Sequence, residues 1–122
     1  MIIAVDFDQT ITVGDYKFPS VGVPNVELIN LLRDKKSKGA RLILWTCRVG
    51  EDLNRALKYC EAVGLSFDAV NENLPDIIDF YGGDTRKIFA DVYIEDKAVK
   101  PKDFVSRFKV NENPYGTVGC FK

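Results

Sequence analysis

The first ten residues constrain the fold more than any other stretch. Ile2-Ile3-Ala4-Val5 is continuously apolar, runs on through Asp6-Phe7, and breaks into Asp8-Gln9-Thr10. A strand with one wet face alternates apolar and polar residues. A run without alternation is buried on both faces, as in a parallel sheet covered by helices. The pattern recurs along the chain. Arg41-Leu42-Ile43-Leu44-Trp45 ends in Thr46-Cys47-Arg48, Phe67 to Val70 is a shorter candidate, and Ile88 to Ile94 ends in Glu95-Asp96.

Between these runs the period becomes helical. Val26, Ile29, Leu32 and, less regularly, Leu28 form an apolar stripe within Pro24 to Lys38, with Pro24 suited to the first turn and Gly39 to the stop. Glu51 to Val63 turns Leu53, Ala56, Leu57, Cys60 and Val63 inward, and Gly64 follows. Shorter helices are predicted over Pro75 to Tyr81 and Lys102 to Phe108. Such strand–helix alternation predicts an α/β fold: a single-domain, Rossmann-like three-layer sandwich whose mostly parallel sheet has helices on both faces. One domain should span residues 1–122, with 111–122, rich in turn formers, as a loosely packed C-terminal tail. Thr12 to Val23 holds Gly14, Pro19 and Gly22, enough for a loop or small hairpin but not for a sizeable cap.

Composition removes several chemistries. A length of 122 residues with 46% hydrophobic content allows one core without disulfide staples. The net charge of -1 supplies no field for a nucleic acid backbone. The three cysteines, Cys47, Cys60 and Cys120, form no C-x-x-C pair and read as free thiols of a reducing compartment. The start lacks a basic segment and a long apolar one, and nothing is long enough to cross a bilayer, so a cytoplasmic protein without a membrane partner is expected. The chain has no histidine. Ser-His-Asp and Cys-His nucleophiles and His-ligated zinc are therefore excluded, which leaves acid–base work to carboxylates, Lys, Tyr or Cys.

In open parallel sheets, ligands bind beyond the carboxyl ends of the strands, where strand order reverses. Asp6, Asp8 and Thr10 follow the first run, Thr46 and Arg48 the second, and Glu95 and Asp96 the last, which Lys87 precedes. Residues two apart in an extended chain share a side, so Asp6 and Asp8 are expected to face one cavity with Asp96 beside them. Two carboxylates ~5 Å apart repel by ~3 kcal/mol at an effective dielectric near 20. Such a cluster calls for a cation, and all-oxygen ligands favour Mg²⁺.

Val5-Asp6-Phe7-Asp8-Gln9-Thr10-Ile11 resembles the first motif of the haloacid dehalogenase superfamily, an apolar strand followed by Asp-x-Asp-x-Thr. Leu42 to Thr46 resembles the second motif, Lys87 matches the third, and Val92-Tyr93-Ile94-Glu95-Asp96 resembles the acidic fourth, all in family order. The resemblance implies a small capless phosphatase. Asp6 would attack phosphorus to form an aspartyl-phosphate, and Asp8 would protonate the leaving group and then activate water. Mg²⁺ would lie between the Asp6 carboxylate, the Asp8 carbonyl and Asp96, with Glu95 bound through water. Thr46 would donate to a phosphoryl oxygen, with Thr10, Cys47 and Arg48 near the phosphate, and Lys87 would screen charge on Asp6 and the substrate. The sequence departs from the family where a further acid often follows the metal-binding Asp: those positions are Lys100 and Pro101.

Each lesser candidate has a plainer role. Thr46 fits a helix N-cap, Arg48 a surface ion pair with Glu51 or Asp52, and Cys47 a small packing position. Lys87 competes with Arg86, Asn71 and Asn73 fit turns as well as a cleft, and Asp84 fits a turn with Gly82 and Gly83. Two other functions suit the pattern less well. A phospho-accepting receiver would carry adjacent acids after its first strand, whereas Phe7 separates these. A silent relative would bind a phosphorylated partner without turnover. An open cleft, closed if at all by a second copy of the chain, leaves phosphosugars, nucleotides, phosphoproteins and nucleic-acid ends eligible as substrates.

Overall fold

A computed structural model describes residues 1–108. The expected 111–122 tail, with Cys120, lies outside the described residues. In chain order come strand β1 (Ile2–Val5), the short strands β2 (Thr12–Val13) and β3 (Val23–Pro24), helix α1 (Val26–Ser37), strand β4 (Arg41–Leu44), helix α2 (Gly50–Ala62), strand β5 (Ala69–Val70), helix α3 (Pro75–Tyr81), strand β6 (Val92–Ile94) and helix α4 (Pro101–Phe108). The main sheet has the order β5-β4-β1-β6, and every neighbouring pair is parallel. The fold is the predicted α/β sandwich.

Burial on both faces holds these short strands. Ile3, Val5, Leu42 and Leu44 pack beneath Ile29 and Leu32 of α1 and Ala56 and Cys60 of α2. Ile2, Ala4, Ile43 and Ala69 pack on the other side with Leu74, Ile88 and Ala90, and Ile77 of α3 rests against them. Leu42, Ile43 and Leu44 are fully buried, and each such side chain contributes about 1.5–3 kcal/mol through its removal from water. Two faces of apolar contact thus offset the cost of ordering strands only two to four residues long.

The expected helices are all present, with small shifts at their ends. Asn25, not Pro24, starts α1: its side chain accepts the Leu28 N–H, while Pro24 pairs with Thr12 in the hairpin. Leu53, Leu57 and Val63 line the core beside Ala56 and Cys60, as the stripe predicts. All four expected strands are shorter than their apolar runs: the first stops at Val5 rather than Phe7 and the second at Leu44 rather than Trp45. Phe67 to Val70 contributes only Ala69 and Val70. In Ile88 to Ile94, only Val92–Ile94 is strand, because Asn73 Oδ1 captures the Phe89 N–H at 2.7 Å and diverts that backbone from the ladder. Ile88 and Ala90 still fill the core there.

The chain moves outward from β1 to β4 and β5, then crosses back to place β6 on the other side of β1. Strand order therefore reverses between β1 and β6. The residues just beyond their ends are Asp6 and Glu95. Among the described residues, no helix is long and apolar enough to cross a membrane.

Candidate active site

The ends of β1 and β6 are tied together by the Asp6 N–H, which donates to the Ile94 carbonyl at 2.9 Å. That bond delivers three carboxylates to one point. Asp6, Glu95 and Asp96 each offer an oxygen within 4.8 Å of the others. Glu95, expected to stand behind the direct ligands or to bind through water, falls within the same limit as Asp96. A cleft of about 260 Å³ opens beside them, lined by Asp6, Trp45, Thr46, Cys47, Asn71 and Glu95. A second depression of about 330 Å³, lined by Ile77, Phe80, Tyr81 and Phe89, holds no carboxylate or amine. The carboxylates of Asp6 and Glu95 line the first.

Asp6 is in an unfavourable place for a charge. Its carboxyl is pushed up to about 6: burial raises it most, the Phe7 N–H on its Oδ1 at 2.7 Å pulls the other way, and the charges of Glu95, Asp8 and Asp96 add to the rise. The donors fit Mg²⁺: they are hard oxygens, no histidine or thiolate joins Asp6, Glu95 and Asp96, and the crowded negative charge is what a dication relieves.

Thr46 lies across the cleft at the end of β4. Its N–H donates to Asn71 Oδ1 at 2.8 Å, and its hydroxyl oxygen accepts the Arg48 N–H at 3.1 Å. The hydroxyl hydrogen stays available for an anion. Asn71 manages this with a left-handed backbone, φ 55°, a conformation that asparagine tolerates better than most residues. Cys47, expected as a packing residue or phosphate neighbour, is exposed in the cleft wall.

Five expected site residues do not line the cleft: Asp96, which joins the carboxylate cluster beside it, and four others. Asp8 is the first of the four. Strand β1 ends at Val5, and the Phe7 carbonyl then accepts the N–H groups of Thr10, Ile11 and Thr12 at 3.0–3.3 Å, with Gln9 left-handed at φ 56°. This tight turn ends the extended run after Asp6, and Asp8 stays near enough for its charge to act on Asp6. The Asp8 carboxylate binds Arg48 and Tyr16. Burial alone would raise its pKa, but the Arg48 N–H donors and the Tyr16 hydroxyl lower it overall. The same bonds hold Arg48 above its ordinary value, while burial and Asp8 push Tyr16 up to about 12.

Thr10 is the second: it is buried, with its hydroxyl directed at the Asp8 carbonyl at 3.5 Å. Arg48 is the third. It is neither a surface partner of Glu51 or Asp52 nor a lining residue, but a buried cation with only 1% of its surface exposed. Lys87 is the fourth. It is exposed and forms no ion pair among the described residues. Its loop is organised by Asn73, whose amide donates to Asp84, to the Thr85 carbonyl and to the Thr85 hydroxyl at 2.8–3.2 Å. Asp84 is thus a loop anchor.

Tyr16 was not foreseen, because nothing in a twelve-residue loop marks which side chain will turn back. Gly22 is the signal that could have found it: a Cβ there would collide with the Val13 carbonyl and the Tyr16 ring.

No protein-family model matches the chain, and no curated protein does. Among solved structures, the chain is similar to a conserved protein from Bacteroides thetaiotaomicron, with 33% identity and a TM-score of 0.69, over 100% of this chain and 92% of that one.

Proposed function

We propose that this chain, which belongs to the family of that conserved Bacteroides thetaiotaomicron protein, is a Mg²⁺-dependent phosphomonoester hydrolase of the haloacid dehalogenase type, with Asp6 as nucleophile. The observation that carries the reading is the convergence of Asp6, Glu95 and Asp96 within 4.8 Å at the point where strand order reverses, on the wall of a cleft that also exposes Thr46.

The chain's own groups suit the two half-reactions. The Phe7 N–H fixes Asp6 Oδ1 and leaves Oδ2 to attack phosphorus in line. The phosphorus–oxygen ester bond breaks as the aspartyl-phosphate forms, and the departing oxygen takes a proton from Asp8. Water then attacks the aspartyl-phosphate and returns a proton to Asp8, which frees phosphate and restores Asp6. Thr46 donates its hydroxyl hydrogen to a phosphoryl oxygen, and Asn71 holds the Thr46 backbone in place for this. Asp6, Asp96, Glu95 and the Asp8 carbonyl would hold Mg²⁺, which would neutralise the acids and the phosphoryl oxygens so that an anionic ester can approach an anionic nucleophile.

One observation favours a second reading. Asp8 and Lys87 are absent from the cleft lining, as suits a protein that binds a phosphorylated partner without turnover. A single experiment separates the two: release of phenol from an aryl phosphate with and without Mg²⁺, by the wild type and by Asp6→Asn. Hydrolysis that needs both the metal and Asp6 supports the enzyme. Equal, negligible release from both proteins supports the binder.

A further inference from the structure

Arg48 is the least expected residue in the molecule. Its side chain is 0% exposed, and burying a guanidinium costs several kcal/mol that an ion pair only partly offsets. All five of its N–H donors have acceptors. Nε donates to Asp8 Oδ2 at 2.9 Å and Nη2 to Asp8 Oδ1 at 2.8 Å. Nη2 also reaches the Ser20 carbonyl at 2.9 Å, and Nη1 reaches the carbonyls of Pro19 at 2.9 Å and Asp52 at 3.5 Å. The guanidinium lies 5.0 Å from the Phe7 ring centre and 4.8 Å from that of Phe18. No donor is left for a substrate. Whatever Arg48 does for the reaction, it does through another residue.

That residue is Asp8. The two-pronged contact fixes the plane of the carboxylate, as a point charge could not. Tyr16 adds a third bond, its hydroxyl donating to Asp8 Oδ1 at 2.8 Å while it accepts the Gln9 N–H at 3.1 Å. Tyr16, Phe18, Pro19 and Ser20 all belong to the segment between β2 and β3. The same guanidinium therefore grips both the carboxylate and the hairpin that covers it.

We propose that Arg48 and Tyr16 are positioning residues that hold the Asp8 carboxylate in one orientation for proton transfer, with the hairpin as their frame. The proposal rests on the phosphohydrolase reading above. A plain structural role predicts something different, namely that losing either residue loosens the hairpin and lowers every activity alike. If the two residues act through Asp8, the loss must grow with the leaving group's need for a proton.

The test compares two Mg²⁺-supported substrates. One is an aryl phosphate whose phenolate departs readily; the other is an alkyl phosphate whose alkoxide needs a proton. kcat/KM is the quantity to follow, since it includes departure of the leaving group. Tyr16→Phe should lose about tenfold on the alkyl ester and under about twofold on the aryl ester. Arg48→Lys keeps the charge but cannot span both carboxylate oxygens, and should lose about 100-fold and about fivefold. Tyr16 is only half-buried, so Tyr16→Phe keeps the test decisive even where Arg48→Lys fails to fold. Equal losses on both esters, or none from Tyr16→Phe on either, overturn the positioning role while the hydrolase reading stands. A wild type with no Mg²⁺-dependent turnover of either ester brings down both.

Discussion

Asp6 and Asp8 sit two residues apart, on either side of a buried phenylalanine, and their carboxyls are driven in opposite directions. Asp6 ends a central strand among Glu95, Asp96 and the cleft wall, and is raised to about 6. Asp8 lies beyond the turn that follows, where Arg48 and Tyr16 lower it. Identical side chains are set apart by one change of backbone direction. Asp6, Glu95 and Asp96 form no ion pair among the described residues. Asp8 has a cation built into the fold.

The sharpest way to break this comparison is to neutralise each acid in turn. Asp6→Asn should reduce aryl phosphate turnover by about 10⁴-fold, since it removes the proposed nucleophile. Asp8→Asn should cost about 10²-fold on the same ester, as loss of a general acid–base group does. Steady-state phosphate release measures both, and equal losses would mean that the two carboxylates do one job.

Stability should rank the two regions in the reverse order. Arg48→Met leaves the Asp8 carboxylate beside an apolar side chain and releases the hairpin carbonyls of Pro19 and Ser20. Breaking a buried pair costs about 3–5 kcal/mol. Because Asp8 retains 32% of its side-chain exposure, water recovers part of that, and about 3 kcal/mol is expected from urea denaturation. A loss below about 1 kcal/mol would show that the buried ion pair is not what holds the hairpin.

This division was only half legible in the sequence. Unbroken apolar runs at Ile2–Val5 and Arg41–Leu44 announce strands buried on both faces, so the sheet and its helices follow from local pattern. The positions of Asp6, Glu95 and Asp96 follow from the same logic, because each lies directly beyond a strand. Asp8 lies where that logic stops. Its orientation depends on a left-handed Gln9 and on three N–H groups converging on the Phe7 carbonyl, and nothing in Asp-x-Asp-x-Thr encodes that turn. Arg48 was misread for a related reason. Its local neighbours Glu51 and Asp52 suggest a surface pair, while its real partner lies forty residues earlier in the chain.

Metal binding sharpens the comparison further. Chemical denaturation with Mg²⁺ at about 100 times its dissociation constant should stabilise the wild type by about 2.7 kcal/mol. Asp96→Asn should lose most of that gain. Asp8→Asn should keep it, since only the Asp8 backbone carbonyl is invoked as a ligand. A gain that survives Asp96→Asn but disappears in Asp8→Asn would move the metal from the strand ends to the hairpin.

The smallest effect, and the most direct comparison, is the pH dependence of stability without divalent ions. Asp6 titrates near 6 in the folded chain against an ordinary 3.8, so the folded state binds its proton more tightly between those values. Its ionised form is a penalty above pH ~6 that shrinks as the pH falls and is gone below 3.8. Asp6→Asn should therefore be more stable than wild type at neutral pH, by about 1–2 kcal/mol once solvent at a half-buried carboxylate is allowed for, and equal to it near pH 4. Asp8 has the opposite sign. Its folded pKa lies below 3.8, so its contribution is favourable at every higher pH and is lost as the pH falls through that lowered value. Asp8→Asn should thus be weaker than wild type from pH ~4 to ~8, with the deficit closing only in stronger acid. Urea midpoints across that range in chelator measure both curves. Should the two variants track each other, adjacent carboxylates in this turn share one environment, and the contrast between an open acid cluster and a compensated one collapses.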